Sequence, residues 1–224
     1  MAAKKGDGLL MVYSDVPAEL DEEYNRWYNE EHIDQLLSIP GVLSAARYEA
    51  VSGGPKYLAS YELASADICE SDAWKTVVNN PTEWSKRMSP RVIGTAFISN
   101  LYRRIYPETL SEATAQAEMS PVILCGRMSV PDEIDAQFNK AYNTERLPEC
   151  MKIPGYIRNR RFEALRGEPK YTTVHEMKSL DVWKSEGWDN WRTMVTPVWN
   201  SLIRGQMVHA EGSPAVFRRI FPAL

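Results

Sequence analysis

The chain has 224 residues, 44% of them hydrophobic and 25% charged, with a formal net charge of −4. That is long enough for one large domain or two small ones, each with its own core. The acidic balance speaks against a general binder of nucleic acid or of acidic membranes, and no run approaches the roughly 18 apolar residues of a membrane span.

Residues 1–7 (MAAKKGD) place no apolar signal region behind their lysines, so a cytoplasmic protein is expected. Residues 8–14 (GLLMVYS) form a short apolar run, read as a strand. Pro17 then opens a helix, with Glu19, Asp21, Glu22 and Glu23 where negative charge suits the helix dipole. Leu20, Tyr24, Trp27 and Tyr28 recur at spacings of three and four along one helical face, and Pro40-Gly41 ends the stretch. Residues 42–51 and 56–63 read as strands joined by Ser52-Gly53-Gly54-Pro55, hence a hairpin. A second helical region covers 66–88, with an interruption expected at Asn79-Asn80-Pro81, and a last strand falls within 94–105. The polar stretch 108–120 reads as a linker with room for a helical turn. The same order then returns: a strand at 122–128, a helix over 132–151, a hairpin across 166–169, a helical region at 180–203 and a strand at 215–221.

This return is a repeat in the residues themselves, at an offset of 114. PAELDEEYNRWYNEEHIDQLLSIPG (17–41) aligns with PDEIDAQFNKAYNTERLPECMKIPG (131–155). Matched pairs include Asp21/Asp135, Asn25/Asn139, Tyr28/Tyr142, Asn29/Asn143, Glu31/Glu145, Arg47/Arg161, Tyr57/Tyr171, Glu62/Glu176 and Trp74/Trp188. The chain therefore reads as a tandem duplication: a first unit at 8–107, a linker at 108–120 and a second unit at 121–224. A βαββαβ unit leaves one sheet face bare, and two units cover those faces by packing sheet on sheet. The expected fold class is α+β: two ferredoxin-like βαββαβ repeats whose antiparallel sheets pack into one barrel, an intrachain pseudo-dimer with room for further homodimerisation.

The segment YNRWYNEEH at 24–32, Ile39-Pro40-Gly41 and the hairpin GGPKY at 53–57 resemble the dimeric α+β barrel superfamily, in its branch related to the ethyl tert-butyl ether degradation protein D. The resemblance covers both halves. It implies a pocket between the first helix and the sheet of each unit. It also implies a choice among cofactor-free monooxygenases, isomerases, cyclases and lyases, haem binders and proteins without activity.

Residues kept in both halves read as scaffold, and residues that differ at matched positions mark where a pocket specialises. Glu31/Glu145 and Arg47/Arg161 are expected to form buried carboxylate–guanidinium pairs. The functional alternative is a base, or an arginine holding an anionic substrate group. Asn29/Asn143 reads as a structural hydrogen bond. His32, matched by Arg146, lies four residues from Tyr28 on one side of the helix, with Tyr24 extending that row. A histidine exchanges protons near neutral pH, although a packed or solvated helix-end histidine is the plain alternative. Tyr61 matches His175 on the third strand of each half, and Tyr57, Ala59, Tyr61 and Leu63 share a face whose direction, toward helices or barrel interior, is open. His175 reads as a catalyst or as a hydrogen-bonded core histidine. Trp27 faces a methyl, Ala141, at the matched position, which suggests pockets of different size. Trp188, Trp191 and Trp199 form a stripe read mainly as packing, and 206–213, with His209, as a loop able to cover a pocket. Cys69, Cys125 and Cys150 form no C-x-x-C pair, and the three histidines show no metal-ligand spacing, so no disulfide framework, zinc site or other metal is expected. Dinucleotide, Walker, serine-hydrolase and C-x-x-C-H haem motifs are absent from the sequence.

The expected function is a lyase or isomerase without cofactor, working by acid–base chemistry on a small aromatic or polyketide-like substrate, as in aromatic compound catabolism. His32, Tyr28, Tyr61 and His175 are the candidate catalytic residues. Tyr24, Trp27, Arg47 and Arg146 are the candidate substrate contacts. The alternatives are a cofactor-independent monooxygenase of the same fold and a non-catalytic small-molecule-binding accessory protein.

Overall fold

In the computed structural model of the chain, residues 2–196 and 198–223 are described. Position 197 of the second predicted helical region, Met1 and the last residue of the second unit lie outside them. The elements are β1 (Gly8–Asp15), α1 (Asp21–Trp27), a π-helical turn (Tyr28–His32), α2 (Ile33–Leu37), β2 (Val42–Ser52), β3 (Tyr57–Leu63), α3 (Asp72–Asn79), α4 (Glu83–Met88), α5 (Pro90–Ile93) and β4 (Ala96–Tyr106). After the linker turn α6 (Glu112–Ala115) come β5 (Val122–Ser129), α7 (Asp135–Ala141), a second π turn (Tyr142–Arg146), α8 (Leu147–Cys150), β6 (Tyr156–Arg166) and β7 (Tyr171–Met177). The chain ends with α9 (Leu180–Trp183), α10 (Glu186–Thr193), a third π turn (Trp199–Ile203), β8 (Val208–His209) and β9 (Ala215–Phe221).

Eight strands close one antiparallel barrel in the order β1–β3–β2–β9–β5–β7–β6–β4 and back to β1. Each half supplies four consecutive strands. The seams are β2 with β9 and β4 with β6, so each half's last strand pairs with the hairpin of the other. Closure leaves these eight strands no free edge, and the helices pack outside. The predicted covering loop at 206–213 instead forms β8, which pairs Val208 and His209 with Ser129 and Met128, and His209 is exposed there. Among the described residues no helix is long and apolar enough to cross a membrane.

Closure divides the interior into a barrel core and two helix–sheet layers. Leu9, Met11, Tyr13, Tyr48, Leu58, Tyr102, Phe162 and Phe217 fill the barrel. Glu62 and Glu176, at matched positions, also point inward and share Arg160: Glu62 lies 2.5 and 2.9 Å from Nη2 and Nη1, and Glu176 3.2 Å from Nε. Lys5 reaches in from the N-terminal segment, with Nζ at 3.7 Å from Glu62 and 3.9 Å from Glu176. Burial alone would raise the Glu176 carboxyl, but Lys5, Arg160 and Arg158 overcome it and hold the value at about 2. The free space among these groups is about 10 Å³, room for one water at most.

Residues kept in both halves form one hydrogen-bond lattice per half. Asp21 accepts from Tyr57 Oη, Lys56 Nζ and Asn25 Nδ2, tying α1 to the hairpin. Asp135 does the same with Tyr171, Lys170 and Asn139. Arg47 and Arg161, both buried, lie under the rings of Tyr24, Tyr28 and Tyr57 and of Phe138, Tyr142 and Tyr171, respectively.

The expected glutamate–arginine pairs do not form. Arg47 donates to Asn29 Oδ1 at 2.9 Å and Asn25 Oδ1 at 2.8 Å, and Arg161 donates to Asn143 Oδ1 at 2.8 Å. Asn25 and Asn29 are four apart and face the sheet. Glu31, two residues further, points about 200° round the helix, away from the strands. The hydrogen-bonding reading of Asn29 and Asn143 holds, with these arginines as donors.

Candidate functional site

The helix–sheet layer of the first half gathers Tyr24, Trp27, Tyr28, His32, Arg47 and Tyr61. Tyr57, Ala59, Tyr61 and Leu63 face the helices, which settles the direction their alternation left open. Tyr28 meets Tyr24 edge-on at 5.1 Å between ring centroids and His32 at 5.1 Å. The Tyr28–His32 neighbourhood expected from a spacing of four is therefore present. The closest ring contact, however, is Trp27 stacked on His32 at 4.4 Å and 21°. Residues five apart superpose only in a π turn, and one spans Tyr28–His32.

His32 is half-buried, but its Nδ1 is enclosed and has no hydrogen-bond partner. Burial depresses the imidazole to about 4, so it is neutral at pH 7. The Tyr61 hydroxyl is also enclosed and makes no well-formed hydrogen bond, its polar neighbour being Tyr28, and burial raises its pKa, keeping it a phenol. Tyr28, adjacent to both, is raised well above its ordinary value by burial. Tyr24 shares a hydrogen bond of 2.6 Å with Ser14.

Trp27 is fixed from the opposite side. Its indole N–H donates to Glu31 Oε1 and to Ser85 Oγ, each at 3.1 Å. The same Glu31 oxygen accepts from Ser85 Oγ at 3.0 Å and from Thr82 Oγ1 at 2.7 Å. Thr82 also caps α4 through Ser85 N. Nothing in the sequence points to Thr82 and Ser85, because a helix start with polar residues carries no sign of the distant Trp27 and Glu31 that it meets.

The second half has a layer of different chemistry, and His175 and Arg146 belong to it, apart from His32. His175 Nδ1 shares a hydrogen bond of 2.7 Å with the Tyr156 hydroxyl and lies 3.9 Å from Cys150 Sγ. Trp188 and Trp191 stand edge-on to its ring at 5.4 and 5.2 Å. Burial lowers His175 to about 3 and lifts Cys150 to about 12, so both are neutral and the thiol is a poor nucleophile. Cys150 and Tyr156 were legible only as matched positions that differ, against Leu36 and Val42. The guanidinium of Arg146, at the His32 position, lies between the rings of Trp191 at 4.6 Å and Trp199 at 4.8 Å.

Trp27 opposite Ala141 does not leave a larger space in the second half. Trp199 supplies the missing ring, edge-on to Tyr142 at 5.2 Å as Trp27 is to Tyr28 at 4.7 Å. Trp199 falls on the position of Ser85, and its N–H is capped by Thr196 as that of Ser85 is by Thr82. A large–small contact in one half has become a small–large contact in the other.

Among the described residues no three His, Cys, Asp or Glu side chains are grouped to hold a metal ion. Haem does not fit the residues present either. His175 has its Nδ1 engaged and two indoles against its ring. The rings bordering His32 touch one another, with no slot for a macrocycle between them.

No family model and no curated protein matches the sequence. Solved structures do. An anthrone oxidase-like protein is 13% identical, with a TM-score of 0.62 over 98% of this chain and 94% of its own. A candidate monooxygenase from Lactobacillus acidophilus is 10% identical, with a TM-score of 0.57 over 96% and 94%. A heme-binding protein from Thermus thermophilus is 12% identical, with a TM-score of 0.53 over 96% and 91%. At these identities the shared property is the α+β barrel fold, one that carries proteins named as small-molecule enzymes.

Proposed function

We propose that the chain is a small-molecule enzyme whose active layer is that of the first half, and that it arose by tandem duplication within the branch related to the ethyl tert-butyl ether degradation protein D. The observation that carries this reading is a half-buried histidine, His32, whose enclosed Nδ1 has no partner, beside the Tyr28 and Tyr61 hydroxyls; at the matched position of the second half, where buried polar atoms are also left unpartnered, stands an arginine that exchanges no proton near neutral pH. Leaving a buried hydrogen-bonding group unsatisfied costs about 1–3 kcal/mol, and such groups gather where a ligand completes them. In this reading His32 takes a proton from carbon or oxygen of the substrate. Tyr61 and Tyr28, held as phenols, donate to the oxyanion that develops. Arg47, whose partners are neutral amides, adds a positive field that favours a carboxylate or phenolate. Trp27 and Tyr24 wall an aromatic or polyketide-like ring. The reaction is a decarboxylation, elimination or cyclisation without cofactor, and the protein works in the cytoplasm.

His32→Ala is the direct test. In a screen of aromatic and polyketide-like acids, the variant should keep its circular dichroism and lose at least a hundredfold in turnover. Unchanged turnover removes the assignment. A cofactor-independent monooxygenase fits equally, and the oxidase-like and monooxygenase names among the structural neighbours favour weighing it. Turnover that persists without oxygen eliminates that second reading.

A further inference from the structure

We infer that residues 71–94 of the first half form a lid latched shut by Glu31, and that the matching cover of the second half is fixed. The proposal rests on the reading of the first-half layer as the active one, since His32 Nδ1 and the Tyr61 hydroxyl are enclosed and a substrate needs a way in. The two covers are held by different forces. In the second half, Trp188, Trp191, Trp199 and Ile203 are all buried. In the first half, α3 buries no residue and α4 buries only Ser85 and Met88. What holds α4 is in good part polar: Thr82 and Ser85 on Glu31, and Trp84 and Arg87 on Glu23 at 3.1 and 3.2 Å, with Met88 and Pro90 buried and Trp74, Val77, Trp84 and Ile93 only partly buried against the layer. Hydrogen bonds to a carboxylate can be replaced by bonds to water as the segment lifts, whereas four buried apolar side chains have no such replacement and expose a large apolar area. Segments with few buried apolar contacts open at the low end of a protein's stability range. The lid has its own joints. Asn80 and Pro81 separate α3 from α4, and at Gly94 a side chain would strike Pro90 O at 2.3 Å. Lifting α4 would release Ser85 from Trp27 and open the layer beside the Trp27–His32 stack.

Hydrogen–deuterium exchange on the intact chain tests this without a substrate. Amides of 83–88 should exchange at least tenfold faster than those of 186–193. Glu31→Gln, which turns charge-assisted bonds into neutral ones, should accelerate 83–88 several-fold further and leave the second half unchanged. Protection of 83–88 equal to that of 186–193 overturns the lid. So does a Glu31→Gln effect spread over both halves, or none at 83–88, since simple fraying would not depend on Glu31. Because exchange is read without turnover, the lid can fail while His32 remains catalytic, and the reverse.

Discussion

The two helix–sheet layers share a scaffold and differ in what stands on it. Aspartate, asparagine, tyrosine and lysine form the same lattice in both halves, down to hydrogen bonds matched within a few tenths of an ångström, while the bond from Arg47 to Asn25 Oδ1 has no counterpart between Arg161 and Asn139. On that lattice the first half carries a half-buried histidine and the second an arginine closed between two indoles, each with one enclosed nitrogen left unpartnered. The exchange of Trp27 and Ser85 for Ala141 and Trp199 shows that filling the layer matters more than which helix fills it, as expected where interiors pack to near-crystalline density. Chemistry can therefore differ between the halves while the space beside Tyr28 and Tyr142 stays filled by an indole in each.

The asymmetry is sharpest in the barrel core, where two matched glutamates share one unmatched arginine, with Lys5 near both and Arg158 beside Glu176. Arg160→Met should leave Glu62 and Glu176 short of their shared cation and lower stability by about 3–5 kcal/mol in urea denaturation. The equivalent change in the other half, at Ala46, has no charge to remove. Next in size, Trp27→Ala should cost about 3 kcal/mol. Adding Ser85→Trp should recover much of that loss by rebuilding the second-half arrangement, a coupling that a double-mutant cycle measures. Two independent losses that simply add would mean that the exchange is not compensatory.

Acid should also distinguish the halves. Both histidines are depressed by burial, His32 to about 4 and His175 to about 3, against 6.5 when exposed. Below pH 6.5 the unfolded chain binds protons that the folded one refuses. Their contribution is thus fully present above pH 6.5 and is lost as pH falls through 6.5 toward each folded value. His175→Gln should flatten the stability profile down to about pH 3. His32→Gln should flatten it only to about pH 4, and NMR titration of the two imidazoles would read the order directly. The smallest effect expected is on Glu31→Gln, about 1 kcal/mol in global stability, because its partners are retained with a neutral acceptor.

Much of the scaffold was legible in the residues. The offset of 114 exposed the repeated element order and picked out Asp21, Asn25, Tyr57 and Arg47 as shared. The direction of Glu31 was not legible, because its neighbours through space lie on α4, far along the chain. Nor was the face of Tyr61. All seven residues of β3 are buried, so the strand offers no polar–apolar alternation to read.

By itself, the order of amino acids determined the eight barrel strands, the helical stretches between them and the repeated pattern at an offset of 114, because those follow from local periodicity and from side chains that recur at a fixed distance. Tertiary structure alone decided which face of each strand meets helix or barrel, how a π turn lays Trp27 on His32, and which distant ring stands in for a missing one. These depend on closure of the barrel, where contacts between residues remote in sequence set direction and fit.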